Sequence, residues 1–389
     1  GRARAPARYN RGDARACAFL RSSPDWERLL ELSHAHGVTG LLRRHVRAVG
    51  LWDAVPEPAR QAMDSWHRVL QVRHLIASQQ LGRMLAAAAA RGVEPVILKG
   101  AAVAAVVYPD PALRWMVDID LLVSPTQVGD MVAAMATMGY VREELYYGEA
   151  FNSARGYHHS FVDPAGQLLP VEIHWGLASL LERRNALSAG ALRSRTVRAR
   201  VMAIRQETGS DARVLDTDAR IVYLATHAAT EGHAFGQLKW LADIAAAAGG
   251  PRPPDWPAVA AFARRARARV ATYVALALAR DLLGAAVPAA ILAELRPSPW
   301  VVAALERTLN PATILDPIDE ERRAIVKYLV VDSPAVTVRL LREHFLPPPD
   351  AMRMYHPELR TEGLAYAYGR HVAALGTAAA RKVGAWLLK

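Results

Sequence analysis

The segment Pro95-Val-Ile-Leu-Lys-Gly, continued through an Ala/Val run and Tyr108-Pro-Asp-Pro-Ala-Leu-Arg to Val117-Asp-Ile-Asp-Leu-Leu-Val, decides how this chain is read. Val96 to Leu98 and Val117 to Val123 are aliphatic or β-branched runs of strand length, and the helix-forming block Ala101 to Val107 lies between them. Two strands bracketing a short helix follow from that pattern. Asp118 and Asp120 are two apart on the second strand, so the strand's period of two turns both side chains to one face. Carboxylates so placed repel each other unless a divalent cation sits between them. Hard oxygen donors of this kind suit magnesium that also holds phosphate groups.

Working outward, a third carboxylate beside the pair would complete a two-metal phosphoryl-transfer site, in which cations roughly 3.5 to 4 Å apart clamp the attacking and leaving oxygens. Glu172, in Val171-Glu-Ile-His-Trp175, is the candidate, because its strand can lie next to the Asp pair. Asp118, Asp120 and Glu172 are therefore the expected catalytic and metal-holding residues, with Glu172 also available to help deprotonate an acceptor hydroxyl. Lys99-Gly100, between a strand and a helix start, offers a backbone turn and a point charge for phosphate. Arg114, four residues before Asp118, can brace the pair or meet a phosphate. The histidines His158, His159 and His174 lack the cysteines or helical His pair of a zinc site, and His159 and His174 read as supports of the site or as core.

The rest of the chain places this segment inside helical surroundings. Residues 1–92 read as an all-helical lead-in, with Ser23 as a cap, a break at Pro56-Glu-Pro58, and a long amphipathic helix from Ala59 to Ala90. Residues 93–205 alternate strands and helices: a helix ends at Gly139, a strand is expected over Tyr140 to Leu145, and the turn Asp163-Pro-Ala-Gly166 joins two strands as an antiparallel hairpin. The Arg-rich stretch Arg193 to Arg205 has strand-like alternation. Residues 206–389 return to helices, one opened by Asp216 or Thr217 and carrying His227, and another running through Leu238-Lys-Trp-Leu-Ala-Asp243. The expected class is α+β: a small mixed-sheet domain between N-terminal and C-terminal helical regions.

Composition narrows the function classes. The chain has 389 residues, 52% of them hydrophobic, and a single cysteine, Cys17, which rules out an internal disulfide. No start resembling a secretion signal and no long uncharged apolar run is seen, so the expectation is a soluble cytoplasmic protein without a membrane partner. The net charge of +11 fits a phosphate-bearing partner. Nearly all of it is Arg spread over helices, with only five Lys, which reads as compositional bias and argues against a dedicated nucleic-acid surface.

Leu-Lys-Gly, Tyr-Pro, Arg114, Asp-Ile-Asp-Leu-Leu-Val, Glu-Ile-His-Trp, His227 and Leu-Lys-Trp-Leu-Ala-Asp together resemble the uncharacterised nucleotidyltransferase family of the polymerase-β-like nucleotidyltransferase superfamily. The likeness is strongest over Val93 to Ile244. It matches the superfamily's two acids one residue apart and its third acid on a neighbouring strand, with Lys99-Gly100 where many members carry Gly-Ser. The resemblance implies transfer of a nucleoside monophosphate or related group from a nucleoside triphosphate or nucleotide-sugar donor, with two Mg2+ ions, to a hydroxyl or phosphate of a small molecule or peptide. A peptide-tailoring role is one such possibility. It also implies that the later helices close over the nucleotide, with His227, Lys239 and Asp243 facing one cleft. Two other readings stay open at this point: a non-catalytic nucleotide- or partner-binding protein on the same fold, and a nucleic-acid end-modifying enzyme.

Overall fold

Apolar residues at alternating three- and four-residue steps give one long helix a face that packs against the sheet. In the computed structural model, which describes residues 12–143, 156–177, 187–201, 210–230, 233–315, 320–349, 352 and 363–387, that helix is the fourth of the lead-in. The lead-in comprises α1 (Gly12–Arg21), α2 (Trp26–Ala35), α3 (Thr39–Ala48) and α4 (Glu57–Ala89). Asp25, not Ser23, caps α2: its side chain accepts from the Arg28 N–H at 3.0 Å, while Ser23 takes a left-handed φ of 53° outside the helix. Pro58 in the first turn of α4 costs nothing there, because that N–H has no intrahelical acceptor. Its buried positions Met63, Leu70, Ala77, Leu81, Met84 and Ala88 keep a single stripe toward the protein interior.

The sheet comes next, built from β1 (Val96–Ile97), β2 (Ile119–Leu122), β3 (Val141–Arg142), β4 (His158–Val162), β5 (Val171–His174), β6 (Thr196–Val201) and β7 (Ser210–Leu215). Interleaved with it are α5 (Lys99–Val106), α6 (Val128–Thr137) and α7 (Ala189–Arg193). The strand order is β3-β4-β5-β2-β1-β7-β6, with β2–β5 and β1–β7 parallel and the other pairs antiparallel. The expected hairpin is β4–β5. The sheet runs on past the Arg-rich strand to β7, whose Ser-Asp-Ala-Arg-Val-Leu has too few branched residues to announce itself. Leu145, at the end of the strand expected from Tyr140, and residues 202–205 of the Arg-rich run lie outside the described residues.

Alternation along the strands separates two cores. Ile119, Leu121, Val171 and Ile173 pack with the C-terminal half of α4 and with Met131 and Met135 of α6. On the opposite side, Val96, Leu98 and Leu122 join the core of α8 (Thr217–Ala228), α9 (Leu238–Ala248), α10 (Trp256–Arg265) and α11 (Arg269–Leu283). Asp216 caps α8, accepting from Ala219 N–H at 2.8 Å. Further short helices follow from Ala289 to Leu329. The class is thus α+β, a mixed seven-stranded sheet set among helices.

The chain divides into two units. The first holds the described residues of Gly1–Glu143, His158–Leu177 and Asn185–Asp332, and so contains the whole sheet. In the second, helices Pro334–Phe345 and Leu364–Leu387 are joined by hydrogen bonds from Tyr368 Oη to Pro347 O and between His371 Nε2 and His344 O. Among the described residues no helix is long and apolar enough to cross a membrane.

Candidate active site

The acidic face is set by register. Asp120 pairs with Glu172 and Leu122 with His174 across the parallel β2–β5 ladder, while His158 and Ser160 of β4 pair with His174 and Glu172. Directly paired residues share a face, so Asp120, Glu172, His174 and His158 all turn to the α8–α9 side. Asp118 lies two residues before Asp120, at the entry to β2. The lead-ins to both acid-bearing strands are tied down by α4. Arg73 Nε and Nη2 donate to Met116 O and Val117 O at 2.9 and 3.1 Å, and His74 Nε2 donates to Arg114 O at 2.8 Å. Gln80 exchanges two hydrogen bonds with the Leu169 backbone, at 2.7 and 3.1 Å, as a neighbouring strand would.

At the centre, Lys99 Nζ lies 2.6 Å from Asp120 Oδ1 and 3.5 Å from Glu172 Oε2. His174 Nε2 is 3.0 Å from each of those same two oxygens. Burial opposes the Lys99 charge, but Asp120, with Tyr223 and Glu172, outweighs it and holds the ammonium well above its ordinary range. Burial likewise pushes the Glu172 carboxyl up, but its hydrogen bond with His174 and the nearby Lys99 charge overcome that, leaving Glu172 far below the usual carboxylate range. Asp118 differs. Burial, then the charge of Asp120, raises it to about 6, and its side chain makes no hydrogen bond with the described residues. Asp120 Oδ2 is buried and has no hydrogen-bond partner among the described residues.

Lys99 reaches this position through an unusual backbone, with φ at 41° as it opens α5. That left-handed region disfavours any residue with a Cβ. Lys99→Gly and Lys99→Ala both remove the ammonium, so their difference isolates the backbone. The Gly variant is expected to be the more stable by roughly 0.5–1 kcal/mol, compared by urea midpoints. Gly100 is fixed by space: a Cβ there would stand 2.9 Å from Met116 Cβ. The turn thus lets α5 pack against the segment leading to Asp118.

The helices over this face bring in the remaining expected residues. His227 is half-buried near Lys99 and His174, and loss of solvent around its ring, then the Lys99 charge, keeps its imidazole well below the ordinary value. Its ring lies 4.4 Å from that of His233, which lies 4.2 Å from Trp240. Arg114 forms a two-pronged ion pair with the fully buried Asp243, Nε to Oδ1 at 2.8 Å and Nη2 to Oδ2 at 2.7 Å, and Tyr108 Oη donates to Oδ1 at 3.0 Å. Asp243 thus pairs with Arg114 and Tyr108, and no ion pair joins it to Lys239, four residues earlier on the same helix. Lys239 packs along Gly37 in the turn after α2, with its N–H donating to His36 O at 3.1 Å. Burial lowers its amine to about 8, with Arg114 adding to the shift and Asp118 opposing it.

A folded-state value near 8, against an ordinary 10.5, means that charging Lys239 weighs against folding below pH 8 and ceases to do so above 10.5. Lys239→Met is therefore expected to be more stable than the wild type at pH 7, with the gain vanishing as pH rises from 8 to 10.5. Urea midpoints across that range check it.

His159 pairs with Ile173 and so lies on the opposite face, its ring 4.6 Å from Trp175. Two residues of the acidic face went unassigned in the sequence. His158 Nε2 is 4.0 Å from Glu172 Oε1, and burial, then His174, lowers its imidazole to about 4. Tyr223 of α8 is buried close enough to Lys99, Asp120 and Glu172 for their charges to act on it, and burial raises its phenol well above the ordinary value. The only sequence signal for His158 was its antiparallel offset from His174; Tyr223 had none, because it comes from a helix distant in the chain.

Fold and face together define an α+β protein whose sheet presents carboxylates and an imidazole capable of holding a cation. The chain belongs to the uncharacterised nucleotidyltransferase family, whose model matches residues 22–284. Membership puts it in a transferase class whose general reaction is nucleotidyl transfer. Comparison with curated proteins and with solved structures returns no match.

Proposed function

We propose that this protein transfers a nucleoside monophosphate from a nucleoside triphosphate to a hydroxyl or phosphate oxygen of a small-molecule or peptide acceptor, using a divalent cation held by Asp118, Asp120 and Glu172. The observation that carries this reading is the in-register pairing of Asp120 with Glu172, together with the buried, unpartnered Asp120 Oδ2. A buried carboxylate oxygen lacking a donor is costly, and a cation would satisfy it. When bound, the cation would polarise the donor phosphate and offset charge on the departing pyrophosphate.

In this reading the acceptor oxygen bonds to the α-phosphorus, the bond to the bridging oxygen breaks, pyrophosphate leaves, and a hydroxyl acceptor gives up its proton to water. Lys99 and Lys239 supply positive charge for the phosphates. Gly100 lets α5 approach closely. Arg114 and Asp243 hold α9 against the sheet, and His227 borders the nucleotide from α8. Glu172, kept so acidic, accepts a proton poorly and suits cation holding better than base catalysis. One observation favours the alternative of nucleotide binding without turnover: Lys99 already neutralises Asp120 at 2.6 Å.

Calorimetric titration with a non-hydrolysable nucleoside triphosphate analogue separates these readings. Transfer chemistry predicts binding that depends on a divalent cation in the wild type and loses that dependence in Asp118→Asn/Asp120→Asn. Cation-independent binding in the wild type would support the non-catalytic alternative.

A further inference from the structure

His174 contacts both central carboxylates, yet the proposed reaction gives it no task. It is buried on β5, two residues beyond Glu172 and on the same side of the sheet. Its Nε2 is directed at both carboxylates, 3.0 Å from Asp120 Oδ1 and 3.0 Å from Glu172 Oε2. One ligand atom from each of Asp120, Glu172 and His174 falls within 4.8 Å of the others, a spread that three ligands of one cation can occupy. The second mark of a cation is independent of that clustering. Asp120 is 1% exposed, and its Oδ2 has no hydrogen-bond partner among the described residues, although Lys99 and His174 both address Oδ1.

We infer that His174 Nε2 is itself a metal ligand, which makes this a mixed carboxylate–imidazole centre that takes manganese or a later first-row dication in preference to magnesium. The inference rests on the cation-dependent reading above and refines which cation the site takes. Magnesium follows from carboxylates alone, whereas an imidazole nitrogen moves a site toward borderline metals and down the first-row affinity order. His158, whose Nε2 is 4.0 Å from Glu172 Oε1 and whose ring centre is 5.2 Å from that of His174, stands one step further out and supports the centre without binding the ion.

Mn2+ is the probe, because its unpaired electrons report directly bonded nitrogen. The full chain is titrated with Mn2+, with Mg2+ as competitor, and the bound ion is examined by pulsed electron paramagnetic resonance for 14N coupling. The wild type is expected to show a coordinated 14N and to bind Mn2+ at least about tenfold more tightly than Mg2+. His174→Gln should lose the coupling, roughly tenfold or more of the Mn2+ affinity, and most of the preference over Mg2+. His158→Gln should keep the coupling. Bound Mn2+ without nitrogen coupling in the wild type, or coupling that survives His174→Gln, overturns the assignment. The wild-type spectrum decides even if the variant fails to fold. Oxygen-only Mn2+ binding with nucleotidyl transfer intact would sink the ligand role alone, whereas absence of any bound dication, with or without nucleotide, would sink the transfer reading as well.

Discussion

Asp120→Asn is expected to lower cation-dependent nucleotidyl transfer by roughly a thousandfold or more, because it removes the charge at the centre of the acidic face while keeping its shape. The same substitution should destabilise the fold. Asp120 is buried and holds Lys99 at 2.6 Å and His174 at 3.0 Å, so an amide leaves two donors facing a neutral group. Breaking one side of a buried pair costs about 3–5 kcal/mol, and Glu172, still 3.5 Å from Lys99, should keep the loss near the lower figure. Asp118→Asn should match the loss of transfer with the opposite effect on stability. A folded-state value raised from 3.8 to about 6 means that its ionisation works against the fold: the contribution is favourable below pH 3.8 and is lost as pH rises through 6. At pH 7 the Asn variant is relieved of that burden. Pyrophosphate release and thermal melting of the two variants, measured side by side, check both signs.

Arg114→Met is the second large effect, and it falls on the fold. Arg114 and Asp243 are both buried, share two hydrogen-bonded contacts, and join the segment before Asp118 to α9. Removing the guanidinium strands the Asp243 carboxylate with Tyr108 as its remaining donor, an expected loss of about 3–5 kcal/mol. Arg114→Met combined with Asp243→Leu should recover most of that loss, since two apolar side chains leave no orphaned charge. Urea unfolding of both single variants and the double variant gives the coupling directly. A double variant as unstable as the sum of the singles would mean that the pair contributes little beyond packing.

How far the sequence carried the reading depended on the range of the interaction. The acid pair, the hairpin and the long helix α4 follow from local periodicity, and periods of two and of three to four survive in the fold. The convergence of Glu172 on Asp120 needed one further assumption, that β5 neighbours β2, which the hydrophobicity of both strands favours. Asp243 shows where local reasoning stops. Spacing alone offers Lys239 as its partner, yet its ion partner is Arg114, 129 residues away, because Asp243 is on the buried side of α9. Tyr223 is the same case: a helix packed on the sheet contributes a hydroxyl that no motif announces. The left-handed Lys99 was hidden for another reason, since a lysine followed by glycine gives no sign of which of the two takes the strained backbone.

The most direct test is to incubate the wild type and Asp118→Asn/Asp120→Asn with each nucleoside triphosphate, a divalent cation and a panel of hydroxyl-, phosphate- and peptide-bearing acceptors. Pyrophosphate release and the mass gain of the acceptor are then measured together. The wild type should release pyrophosphate and add one nucleoside monophosphate to an acceptor only when the cation is present, and the double variant should do neither. Transfer by the double variant at the wild-type rate would contradict the assignment of the acidic face as the seat of the chemistry.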